Sequence, residues 1–127
     1  MNKYSVTAMF EFNDDAMIDI ISSAIYDIKY WGAVDDDTDE WNAISESLPK
    51  DHTWEDVFYN LIASGKSIYM YDTEGDDGPW YLTIDKLLNG IKLAIENGYW
   101  DGQIDSLDGE VGDIIFQYTL FEEIVYG

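Results

Sequence analysis

The chain opens on an alternation. Tyr4, Val6, Ala8, Phe10 and Phe12 fall on one side of an extended backbone, and Ser5, Thr7, Met9 and Glu11 on the other. This period of two predicts a half-buried strand over 4–12. At Asn13 the period changes. Asn13, Asp14 and Asp15 offer N-cap chemistry and favourable charge at a helix start. Met17, Ile20, Ile21, Ala24, Ile28 and Trp31 then follow at helical spacing, and Gly32 is placed to stop that helix. Residues 33–49 lose the period, and their apolar residues Trp41, Ile44 and Leu48 pin an otherwise irregular stretch to the core. Thr53 and Asp56 form a capping box with Asp in place of Glu. The short helix they open turns Trp54, Val57, Phe58, Leu61 and Ile62 inward and ends at Gly65.

Ser67 to Tyr71 and Trp80 to Thr83 read as the strands of a β-hairpin, joined by the turn-rich residues 72–79. Thr83 is positioned to cap a helix with Ile84, Leu87, Leu88, Ile91, Ala94 and Ile95 as its apolar stripe, and Gly98 to end it. Gly90 inside that helix costs up to about 1 kcal/mol relative to Ala, which points to close packing there. A last helix runs from about Asp108 to Ile124, with Val111, Ile114, Ile115, Tyr118 and Phe121 on its buried side. The order β-α-α-β-β-α-α implies an α+β fold. Its small antiparallel sheet, an N-terminal strand plus the hairpin, is packed by about four helices in one domain over 1–127.

Charge changes the picture. The chain has 27 acidic residues against six lysines, no arginine and a formal charge of −21. Solubility asks for a net charge of about 2–8 in a small domain, and excess beyond that costs stability by self-repulsion. A disordered acidic polymer is excluded, because 46% of the residues are hydrophobic and 16% aromatic. Direct nucleic-acid binding and binding to anionic lipid are excluded as well, since both require Lys and Arg. No apolar run approaches the roughly 20 residues needed to span a membrane, and residues 1–12 do not read as a secretory leader. The absence of Cys removes disulfides and thiol chemistry.

The carboxylates are clustered. One cluster is Asp35, Asp36, Asp37, Asp39 and Glu40. A second is Asp72, Glu74, Asp76 and Asp77. A third holds Asp101, Asp105, Asp108, Glu110 and Asp113, and a fourth Asp14, Asp15 and Asp19. Carboxylates three or four apart on a helix sit about 5–6 Å apart at Cβ, and a duplex carries one charge per roughly 1.7 Å of axis. Such an array can approximate a phosphate track and be steered to a basic groove. A solvated surface that serves only solubility, or an acidophile or halophile proteome, is the competing reading. No metal site is expected. The stretch from Asp72 has Asp77 and Thr83 where a calcium loop needs Gly and Glu, and the stretch from Asp101 has Ser106 and Gly112 there. A Ser45, His52 and Asp56 triad can be drawn, but no nucleophile elbow or phosphate loop marks it, so no enzyme and no cofactor are expected. Tyr69, Tyr71, Trp80 and Tyr81 would line both hairpin faces, only one of which can be buried. The other suits a protein interface or a homodimer.

The segments IDIISSAIYDIKYWG (18–32), LTIDKLLNGIKLAIENG (82–98) and DIIFQYTLFEEIVYG (113–127) together resemble a family of small acidic proteins carried by phages and mobile elements of bacteria. The chain departs from that family's ending at Glu122, where Gly is expected. These motifs are structural and carry no catalytic residues across. The resemblance implies a phage setting, in which small acidic proteins are similar in character to DNA mimics that block restriction enzymes or CRISPR effectors. The expectation is a non-enzymatic inhibitor of a basic, nucleic-acid-binding host defence protein, acting in the bacterial cytoplasm. The alternatives are a binding module that works through its aromatic surface, and a housekeeping phage protein.

Overall fold

The computed structural model describes residues 2–6, 8–74 and 78–127. Among the described residues, five α-helices and a three-stranded antiparallel sheet give the α+β class. In chain order they are α1 (Asp14–Ala24), β1 (Gly32–Val34), α2 (Asp39–Ser47), α3 (Trp54–Ala63), β2 (Ile68–Asp72), β3 (Trp80–Leu82), α4 (Ile84–Glu96) and α5 (Gly109–Phe121). Short 3₁₀ turns stand at Asp27–Tyr30 and Ile104–Ser106.

The helix starts follow from local chemistry. Asn13 accepts from the Ala16 amide at 2.8 Å, Thr38 from Trp41, Thr83 from Lys86 and Asp108 from Val111. At α3 both halves of the capping box form: Thr53 Oγ1 accepts from the Asp56 amide at 3.1 Å, and Asp56 accepts from the Thr53 amide at 2.8 Å. Each α-helix has an acid in its first turn, and none has a base in its last. The helix dipoles are therefore complemented at their positive ends only.

The sheet differs from expectation in its third strand. No strand forms among the described residues of 4–12. The two edges of β2 are taken by β3, in the expected hairpin, and by β1, with Ala33 opposite Tyr71. Residues 2–6 lie exposed, whereas Phe12 stacks on Trp100 at 5.6 Å between ring centres. Phe10 lies so close over Gly102 that a Cβ there would meet its ring at 2.5 Å. The first helix is also shorter than its apolar spacing implied, ending at Ala24. The 3₁₀ turn carries Ile28, and Trp31 follows it, both still buried. The stretch 33–49, expected to be irregular, contains β1 and α2. Thr38 with Asp39 and Glu40 is a helix start hidden inside an acidic run.

The core joins Ile20, Ile21, Phe58, Ile62, Met70, Leu82, Leu87, Ile115 and Phe116 with Trp31 and Trp100. Helix α5 is its axis, packing on α4, α1 and β3. Two glycines set those crossings. A Cβ on Gly90 would lie 2.7 Å from the Ile115 carbonyl, and one on Gly112 would lie 2.7 Å from the Ala24 amide. The C-terminal residues fold back onto α5. Buried Gln117 accepts from the amides of Val125 and Tyr126 at 2.8 Å each and donates to Asp113 and the Tyr126 carbonyl. The Tyr126 ring stacks on Trp31 at 5.2 Å. No helix among the described residues is long and apolar enough to cross a membrane.

Candidate partner-binding surface

All described carboxylates are exposed or half-buried, and their charge is almost uncompensated within the fold. Among the described residues one ion pair forms, Lys92 to Glu96 at 3.9 Å, between exposed side chains one helical turn apart. Such a pair contributes about 0.3–0.5 kcal/mol. Lys86 instead donates to the Tyr81 carbonyl at 2.7 Å, and Lys29 sits 4.5 Å above the Tyr26 ring.

The acidic residues singled out by sequence divide by what holds them. Asp36 accepts from the Trp54 indole at 2.8 Å, and Asp35 and Asp72 each tie an amide two residues on. Asp101 accepts from the Ser106 hydroxyl at 2.5 Å and the Gln103 amide at 2.9 Å. These bonds, the hydroxyl's first, hold its carboxyl below the usual Asp value. Asp108 caps α5. Asp37, Asp39, Glu40, Glu74 and Asp105 make no side-chain hydrogen bond or ion pair among the described residues, so their full valence faces solvent. Asp76 and Asp77 lie outside the described residues.

The Asp35 amide donates to the Tyr69 carbonyl at 2.8 Å, so the 35–40 cluster leaves the sheet at the start of β2. Asp72 pairs with Gly32 at its end. Three residues of strand, about 10 Å, separate the two points. Between them the outer face of the sheet presents Ala33, Tyr69, Tyr71 and Tyr81. Tyr71 is 41% and Tyr81 48% exposed, and Tyr69 meets Tyr81 edge-on at 5.2 Å. The inner face buries Ile68, Met70 and Leu82. The expected division of the hairpin is thus present, with the tyrosines outside.

The sequence sets Asp15 and Asp19 in one cluster and Asp105 in another and leaves Glu11 out, and the fold brings the four to one surface. Glu11, Asp15, Asp19 and Asp105, from three separate segments, line one concave surface of about 660 Å³ between the start of α1 and the Ile104–Ser106 turn, and no lysine lines it. Asp15 and Asp19 are one turn apart on α1, a repulsive placement by a few tenths of a kcal/mol. Asp14, their neighbour, accepts from the Tyr59 hydroxyl at 2.5 Å, and that bond is the main cause of the raised Tyr59 pKa. Asp113 is likewise internal in its bonds, accepting from the Trp31 indole at 2.7 Å and the Tyr30 hydroxyl at 2.9 Å. Burial first, and Asp113 second, push Tyr30 up to about 12.

Among the described residues no three His or carboxylate groups come together as a metal site. His52 Nε2 lies 2.9 Å from Ser45 Oγ, and its Nδ1 lies 2.6 Å from the Pro49 carbonyl. The carbonyl requires the proton on Nδ1, so in the neutral imidazole the Ser45 hydroxyl donates to Nε2. The Asp56 of the sequence-drawn triad is occupied in the capping box. Ser45 stands in the last turn of α2, where carbonyls rather than amide donors are unpaired and a developing oxyanion would be repelled. No protein-family model, curated protein or solved structure matches this chain.

Proposed function

We propose that this protein is a non-enzymatic ligand for a basic, nucleic-acid-binding bacterial protein, presenting carboxylates where that protein expects phosphates. A defence protein, either a CRISPR effector or a restriction system, is the target class that the phage-like sequence character favours. One observation supports this reading above the others: Glu11, Asp15, Asp19 and Asp105 line one concave surface, with no lysine among its described lining residues. A fold that needed charge only for solubility gains nothing from that convergence and loses by its repulsion. The unbonded carboxylates of the Asp35–Glu40 segment extend the negative field around the sheet.

A second reading has its own observation. Tyr71 and Tyr81 stand on an open sheet face beside Tyr69, and tyrosines in this setting anchor protein interfaces. In that reading the chain is a binding module whose acidity tunes solubility alone.

The separating experiment is a pull-down of the tagged protein from bacterial lysate at low and high salt, with mass spectrometry of what is retained. A nucleic-acid-binding protein lost at high salt supports the mimic. A salt-resistant partner that is lost on Tyr71→Ala and Tyr81→Ala supports the tyrosine face and overturns the mimic.

A further inference from the structure

We propose that residues 2–6 form an arm that adds as a fourth, antiparallel strand to the free edge of β1 in a second copy of this chain. The proposal stands apart from the basic-partner reading.

The arm has a strand's sequence and no strand partner. Tyr4 is 88% and Val6 95% exposed, a placement that leaves two large apolar side chains in water. Phe10 and Phe12 fasten the arm's root over Gly102 and Trp100. Its free part therefore projects from a fixed point. Five extended residues from Asn2 to Val6 span about 17 Å.

The receiving edge is complementary. β1 pairs with β2 alone among the described residues. The Asp35 amide donates to the Tyr69 carbonyl, and the Thr73 amide to the Trp31 carbonyl. With those two pairs hydrogen-bonded, antiparallel alternation makes Ala33–Tyr71 the pair between them. The N–H and C=O groups of Gly32 and Val34 then point away from β2. They point along a groove of about 480 Å³ lined by Ile25, Ile28, Val34 and Trp54, with Asp36, Glu55 and one cation, Lys29, also on its wall. An unpaired edge beside an apolar groove is the setting in which an extended segment adds a strand.

One register satisfies every term. Tyr4 and Val6 pair with Val34 and Gly32, which exchanges hydrogen bonds at the two free positions and turns both apolar side chains into the groove. Ser5 then lies opposite Ala33. Lys3 lies opposite Asp35, a non-hydrogen-bonded pair in which side chains approach most closely. The arm carries Lys3 and no acid before Glu11, so it can approach an edge flanked by Asp35, Asp36 and Glu55. Two copies of charge −21 repel, so added salt strengthens this association, the opposite of its effect on a basic partner.

The absence of Cys makes the test direct. Ser5 and Ala33 are both exposed, and opposed positions of this kind meet disulfide geometry. A Ser5→Cys chain mixed with an Ala33→Cys chain under mild oxidation should give a linked dimer, in excess over a Ser5→Cys and Ser22→Cys mixture. Sedimentation of the unmodified protein should show a weight-average mass that rises with concentration and with salt, and deleting residues 2–6 should abolish the rise. Crosslinking no better than the Ser22→Cys control overturns the proposal. So does a mass that stays monomeric at every concentration and salt. A Ser5→Cys, Ala33→Cys double variant that closes only within its own chain overturns it too, by placing the arm on its own edge.

Discussion

Replacing Gly90 with Ala sets two physical terms against each other. Helix propensity alone favours Ala by about 1 kcal/mol. The α4–α5 crossing opposes it. The added Cβ would clash with Thr119 Oγ1 and stand 2.7 Å from both the Ile115 carbonyl oxygen and the Thr119 amide nitrogen. Rotating Thr119 relieves the first contact and breaks its 2.7 Å bond to the Ile115 carbonyl. The two backbone contacts remain. Ordinary contact begins at 3.4 Å, so the helices must separate by roughly 0.7 Å, and a gap of that size forfeits a quarter to a half of the dispersion energy between facing atoms. Overpacking of this kind costs about 1–3 kcal/mol, and the site lies at the upper end because backbone cannot rotate away. The net expectation is a loss of about 1–2 kcal/mol, or roughly 4–8 °C in Tm for a chain of this length. Thermal unfolding followed by circular dichroism measures it. Adding Thr119→Ala to the variant should recover only part of the loss. A Tm equal to or above that of the parent would refute the close crossing.

Three further outcomes are expected. Glu122 holds φ +58° at the end of α5, a conformation that costs a non-glycine residue about 1–2 kcal/mol, so Glu122→Gly should raise stability by about 0.5–1 kcal/mol in urea unfolding; an unchanged midpoint would argue against a left-handed cap. Tyr30 is pushed up to about 12, chiefly by burial. Because the folded pKa exceeds the unfolded value of about 10, its contribution is complete below pH 10 and is lost as pH rises towards 12. Tyr30→Phe should flatten the alkaline fall of Tm, and an identical profile would contradict the Asp113 contact. Asp19→Lys replaces the Asp15–Asp19 repulsion with an attractive i, i+4 pair and leaves the first-turn acids of α1 in place, so the variant should be as stable as the parent or slightly more so. A drop of several degrees in Tm would mean that the Asp19 carboxylate serves the fold.

What was legible in the sequence was local. The caps at Asn13, Thr53 and Thr83 depend on a side chain and an amide three residues on, and the helices begin there. The hairpin from Ser67 to Thr83 needed only two short apolar runs and a turn, and Gly90 signalled a crossing because its helical cost demanded a reason. The misreadings were non-local. Residues 4–12 have a strand's alternation, but alternation supplies a face and not a partner, and the vacant edge of β2 went to Gly-Ala-Val, three residues without a pattern. Thr38 was overlooked as a cap because the acids around it read as a solvated loop. The same limit applies to the surface. Density along the chain sets Asp15 and Asp19 in one cluster, Asp105 in another and Glu11 in none, whereas the concavity assembles all four across more than 90 residues of sequence. Concavity is a property of packing, which one-dimensional charge density does not encode.

The central claim is that the carboxylates of that concavity stand in for phosphates. The most direct measurement is the affinity of the retained basic partner for the parent and for the Asp15→Lys, Asp19→Lys variant across a salt series, with nucleic acid as competitor. The account predicts parent binding that weakens steeply with salt, mutual exclusion with nucleic acid, and a loss of at least about tenfold in the variant, each tenfold being about 1.4 kcal/mol. Equal affinity of parent and variant, or a partner that holds nucleic acid and this protein together, would contradict it.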